Sequence, residues 1–113
     1  MIHVLDHLRQ GRSVGVELNV VGVVSVVATV IALVLAVQGH PLAKPAAILL
    51  GVGTFVGLLA VHVAPTWWVL SDSYGDAGVD ALSWLIVIAM IVAAAVLAIQ
   101  AWSVRLESAG TRA

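Results

Sequence analysis

A chain of 113 residues suffices for one small domain, yet 62% of them are hydrophobic, 10% are charged and the mean hydropathy is +1.13. A soluble domain carries roughly 25% charged residues, and so short a chain leaves much surface exposed; in water that surface would be aliphatic and would aggregate. A formal net charge of −1 without basic clusters gives no electrostatic case for nucleic acid, and the lack of cysteine excludes disulfides, thiolate metal sites and cysteine nucleophiles.

Residues 1–13 form a polar lead with Asp6, Arg9 and Arg12. Ile2, Leu5 and Leu8 recur every three residues, as in a short amphipathic helix lying at a membrane interface. The first apolar run, Val20 to Val37 extended back to Val14, predicts a spanning helix over 14–38, since roughly 20 predominantly apolar residues cross a bilayer. Its valines favour a strand in water, but an open strand cannot satisfy its backbone in lipid. The run is too long for the h-region of a signal peptide and no clean A-x-A site follows it, so it is expected to be retained. Gln38, Gly39, His40 and Pro41 make a stop signal.

Pro45 suits the first position of a second helix, where its missing N–H costs nothing. That helix is predicted over 45–64, with Pro65 ending or kinking it. Trp67 and Trp68 follow at once, as in an aromatic belt. The polar segment Ser71 to Asp80 completes a loop over 65–80. Asp80 is placed to cap the third helix, predicted over 81–104, its carboxylate accepting from N–H groups of the first turn. About eleven strong aliphatics in that helix give an insertion energy on the order of −3 to −6 kcal/mol. A tail, 105–113, completes the chain. The fold class is therefore all-α: three transmembrane helices in an up-down-up bundle, preceded by a short amphipathic segment. This topology puts the N-terminal segment and the acidic loop on one side, and the Lys44 link and C-terminal tail on the other. Arg9 and Arg12 against Lys44, Arg105 and Arg112 lean the C-terminus toward the cytoplasm by a margin of one charge.

Few residues invite chemistry. No ionisable group lies in the central segments of the spans, where a proton relay or transporter keeps one. Ser25, Thr29 and Thr54 are the polar groups at depth, and hydroxyls there bond back to the carbonyl one turn earlier. Glu17 and Asn19 open the first helix, where an acid is favoured and Arg9 or Arg12 could neutralise it. Of the four histidines, His3 and His7 share a helical face and His62 returns to their side, while His40 lies opposite. A metal bound by His3, His7 and His62, or a haem between His7 and His62, is geometrically permissible, but no motif specifies either. No cofactor is expected. Asp72, Asp76 and Asp80 superficially suggest a calcium loop, but the EF-hand pattern fails; capping, or docking a partner's basic patch, is expected instead. No phosphate-cradling loop, catalytic triad spacing or zinc motif occurs, so no enzymatic activity is expected.

The most informative pattern concerns packing. Gly53 and Gly57 form a G-x-x-x-G arrangement in the second helix. Gly22, Ser25, Ala28, Thr29, Ala32 and Ala36 make a small-residue ridge in the first, and Ala89, Ala93, Ala94, Ala98 and Ala101 another in the third. Small residues let backbones approach closely in lipid, where no hydrophobic force drives association. The expectation is a multi-pass protein of a bacterial plasma membrane, the wealth of Val and Ala beside a single Lys suggesting a GC-rich genome. It would serve as a non-catalytic accessory or assembly subunit of a larger complex, of respiratory or transport type. Gly22, Ser25, Thr29, Gly53, Gly57 and Ala93 would meet other membrane subunits or a second copy, and Glu17, Asp72, Asp76 and Asp80 would make polar contacts at the rims. The alternatives are a homo-oligomeric channel or small transporter and, third, a haem- or metal-binding anchor of a redox enzyme.

Overall fold

A backbone N–H or C=O left unpaired in hydrocarbon costs several kcal/mol, so each long apolar stretch closes its hydrogen bonds on itself as a helix. The computed structural model describes residues 2–12 and 15–110. In chain order the elements are α1 (Ile2–Arg9), α2 (Val16–Val37), α3 (Ala43–Leu58) continued by a π-helical turn (Leu59–Val63), α4 (Tyr74–Ala77) and α5 (Ala81–Gly110). No strand occurs among the described residues. Val14, expected to open the first span, lies outside the described residues, as do Arg112 and the side chains of His3 and Arg105.

Three segments, Val16–Val37, Ala43–Val63 and Ala81–Val104, are long and apolar enough to cross a membrane. Their surfaces point the same way: large aliphatics such as Val23, Leu33, Leu49 and Ile99 are exposed along their length, as suits helices surrounded by lipid or by other membrane helices. The chain is an all-α, three-helix, multi-pass membrane protein.

Local chemistry sets the turns. Gly39 follows α2 with φ +64°, a left-handed conformation open to glycine without steric cost. The His40 N–H then reaches back to the Leu35 carbonyl (2.9 Å) and the Gly39 N–H to that of Ala36 (3.1 Å), a Schellman cap that reverses the chain into α3. At the far end of the second span Pro65 offers no N–H to the Val61 carbonyl, and its ring crowds the same group. The last turn widens to π geometry, with the Ala64 N–H bonding the Leu59 carbonyl at 2.9 Å. The freed carbonyls of Ala60 and Val61 are taken by the Trp67 indole N–H (2.7 Å) and the Asp72 N–H (2.8 Å).

The tight helix pair is α3 with α5. A Cβ built on Gly51 would stand 2.8 Å from the Ala98 backbone nitrogen and 2.9 Å from the Ala94 carbonyl oxygen. Gly51, Leu58 and His62 make the buried stripe of the second span; Ser83, Val87 and Ala94 make that of α5. Gly53 and Gly57 do not serve this contact: a Cβ on either would meet nothing within 4 Å. Ala93 is likewise exposed while its neighbour Ala94 is buried. By contrast, α2 approaches α3 near their connecting turn, where Ala32 is buried, and from Val16 to Ile31 every α2 residue but Leu18 is exposed.

Gly51→Ala is expected to lower stability by roughly 1–3 kcal/mol, because the added carbon meets backbone and cannot be relieved by a rotamer change. Gly53→Ala should leave it unchanged or slightly raised. Denaturant titration of the two variants in detergent micelles checks the difference.

Candidate functional site

The polar residues excluded from the membrane interior gather at the end of the bundle where the π-helical turn, the loop before α5 and the start of α5 meet. α1 lies over this end with its apolar side outward: Leu5 and Leu8 are exposed, whereas Asp6 and His7 are each 3% exposed. Gly11, with φ +64°, ends α1 in a second Schellman cap, the Arg12 N–H bonding the His7 carbonyl (3.1 Å) and the Gly11 N–H that of Leu8 (3.1 Å). That reversal brings Arg12 back over the rim.

Two groups of contacts hold α1 down. In the first, Arg9 donates through both terminal nitrogens to the carboxylate of Asp80 (2.8 and 2.8 Å) and through Nε to Asp6 (3.0 Å). The Gln10 amide donates to Asp6 and to Ser83 Oγ, both at 2.7 Å. Asp80 also accepts from the Ser83 N–H (3.0 Å), so it caps α5 while pairing with α1. In the second group, Arg12 donates to Asp72 Oδ1. His7 Nε2 lies 3.2 Å from Asp72 Oδ2. His62 Nδ1 lies 3.1 Å from the Asp72 carbonyl, an acceptor, so this nitrogen carries the proton. Tyr74, fully buried, packs against the His62 ring at 4.8 Å and edge-on against Trp84 at 5.7 Å.

The electrostatics follow from these partners. Hydrogen bonds from Arg9 and Ser83 hold the Asp80 carboxyl well below the usual carboxylate range. Burial pushes Asp6 up, but bonds from Ser83, Arg9 and Gln10 outweigh it and leave the group lowered. Burial lowers His7, against the pull of Asp72 and Asp6 and with the help of Arg12. Burial raises the Tyr74 phenol to about 12, the charges of Asp6 and Asp72 adding to it.

The acidic residues of the loop take partners within the chain: Asp72 pairs with Arg12 and lies beside His7, Asp80 caps α5 and pairs with Arg9, and Asp76 accepts from the Thr66 N–H (2.7 Å) and hydroxyl (2.6 Å). Glu17 is exposed in the first turn of α2. The arginines expected to neutralise it are bonded to Asp6, Asp80 and Asp72 instead, because those acids sit on the rim that α1 covers. His7 and His62 do come together, ring centroids 6.2 Å apart, but Asp72 Oδ2 lies 3.2 Å from one and 3.6 Å from the other. A carboxylate thus fills the space a haem iron would need. Among the described residues no three His, Asp or Glu side chains are arranged to hold a metal ion. Gln10, Ser83 and Tyr74 escape a search for reactive patterns. Their signal is weaker: polar groups one turn inside a span, or beside it, must find partners within the chain.

No protein-family model matches this chain, and no curated protein or solved structure matches it either.

Asp72→Ala removes the carboxylate that accepts from Arg12 and lies 3.2 Å from His7 Nε2 in a partly buried site, a loss expected on the order of 1–3 kcal/mol. Amide hydrogen exchange should quicken across residues 2–12 while residues 81–104 stay protected. The chain has one tyrosine, so phenolate absorbance reads Tyr74 alone. Its midpoint is expected near 12 instead of the ordinary 10.0. A phenol raised on folding stabilises the fold fully below its unfolded value, and that contribution drains away as pH climbs from 10.0 toward 12.

Proposed function

We propose that the chain is a non-catalytic accessory or assembly subunit of a larger complex in a bacterial plasma membrane, and that it joins its partners by helix packing. One observation carries this reading. Gly22, Ser25 and Thr29 lie on one stripe of α2, and all are exposed, within the half of the helix where every residue but Leu18 is exposed. Where small residues are used inside the chain, at Gly51 against Ala94 and Ala98, they bring two backbones into contact. An open stripe of the same kind suits a helix from another subunit. Gly53, Gly57 and Ala93 add further open small-residue surface on α3 and α5. The hydroxyls of Ser25 and Thr29 donate to the Val21 and Ser25 carbonyls of their own helix (2.8 and 2.7 Å), which favours packing over the lining of an aqueous pore. A respiratory or transport assembly is the host class, with Glu17 and the rim aspartates contributing polar contacts.

Purification of the tagged chain in mild detergent, followed by mass spectrometry, tests this. Stoichiometric co-purification of other membrane subunits is the expected result. A homo-oligomer alone would shift the assignment to a channel or small transporter, and a Soret band lost in His62→Ala would shift it to a redox anchor. Gly22→Leu should cut recovery of the partner from about fivefold to about a hundredfold, the effect of overpacking an interface by roughly 1–3 kcal/mol. The Tyr74 phenolate midpoint should stay in place, since a Cβ at Gly22 meets nothing in the chain within 4 Å.

A further inference from the structure

We propose that α1 is a pH-sensitive latch, docked on the rim of the bundle while His7 is neutral and released when His7 takes up a proton. The charged and titratable groups that act on the His7 imidazole come from three elements: Asp6 and Arg12 from its own segment, His62 from the π-helical turn, and Asp72 and Tyr74 from the loop and α4. Asp80 and Ser83, at the start of α5, meet α1 through Arg9. Arg9 is shared between Asp6 and Asp80, which leaves one negative charge between the two acids, and Asp6 still favours a charged His7. The carboxylate nearest His7 is Asp72, and Arg12 occupies its other oxygen. A neutral imidazole can donate to Asp72 without adding charge. An imidazolium would be a second cation on a carboxylate that already has one, in a pocket where His7 is 3% exposed.

The attraction of Asp72 and Asp6 works for the proton, whereas burial and Arg12 work against it, with burial the largest. The docked state therefore binds the proton more weakly than released α1, whose histidine titrates at the ordinary 6.5. A group lowered on docking contributes its full stabilisation above 6.5 and loses it as pH falls below that value. Release hydrates His7 and uncovers Asp72, His62 and Tyr74. For one proton the docked-to-released ratio falls by at most about tenfold per pH unit.

The chain has no native cysteine, so the pair Leu8→Cys and Ala77→Cys, both exposed, accepts spin labels for distance measurements on the full-length protein in lipid nanodiscs. Between about pH 8 and pH 5 the docked distance is expected to give way to a longer, broader distribution with its midpoint below 6.5. His7→Phe, similar in volume and unable to take a proton, should keep the docked distance throughout. A distance indifferent to pH overturns the proposal, as does release of His7→Phe at the midpoint of the parent. If His7→Phe fails to dock even at the upper pH, nitrogen-15 titration of His7 in the parent decides. A value below 6.5 supports the latch and a value at or above it overturns it.

Discussion

A polar group at the edge of a lipid-bounded bundle must find its partner within the chain, and this constraint organises one whole end of the molecule. His62 sits in the last turn of its span, and Pro65 leaves the carbonyls above it without helical donors. Both deficits are met from the same short loop, through Trp67 to Ala60, Asp72 to Val61 and the Asp72 carbonyl to His62. The loop held in this way carries a carboxylate whose charge then needs a cation, and Arg12 supplies it. A second acid, Asp80, caps α5 and takes Arg9. The amphipathic segment is therefore docked by its polar side, with Leu5 and Leu8 left for the lipid interface.

The same constraint explains what could be read from the residues and what could not. Long aliphatic runs specify spanning helices because length and backbone satisfaction in lipid leave no competitor. The choice among small residues is harder. The motif at Gly53 and Gly57 is conspicuous, but the glycine that meets another backbone is Gly51, which stands eleven residues before His62 and so on nearly the same face. A buried imidazole marks the inward face of a spanning helix better than a pair of glycines does, since glycine is tolerated on either side and histidine in lipid is not. On α5 the ambiguity is one residue wide: Ala93 and Ala94 have the same side chain, and only the position of Ser83 and Val87 on the stripe of Ala94 distinguishes them. The rim network is illegible for another reason. Its pairs join residues some 60 to 74 positions apart, and nothing local in the N-terminal segment states that Arg9 should prefer Asp80 to Glu17.

The two ends of α2 differ. At one end the Gly39 cap and a short turn fix it covalently beside α3, with Ala32 as its buried contact. At the other, every residue from Val16 to Ile31 except Leu18 is exposed. The preceding helix α1 is held on the rim by Arg9 and Arg12. Dispersion and close backbone contact hold α3 to α5, and neither depends on pH. The docking of α1 rests on ion pairs beside a buried imidazole, and both are sensitive to protons and salt. The least packed span, α2, is thus the one with most surface to offer a partner helix.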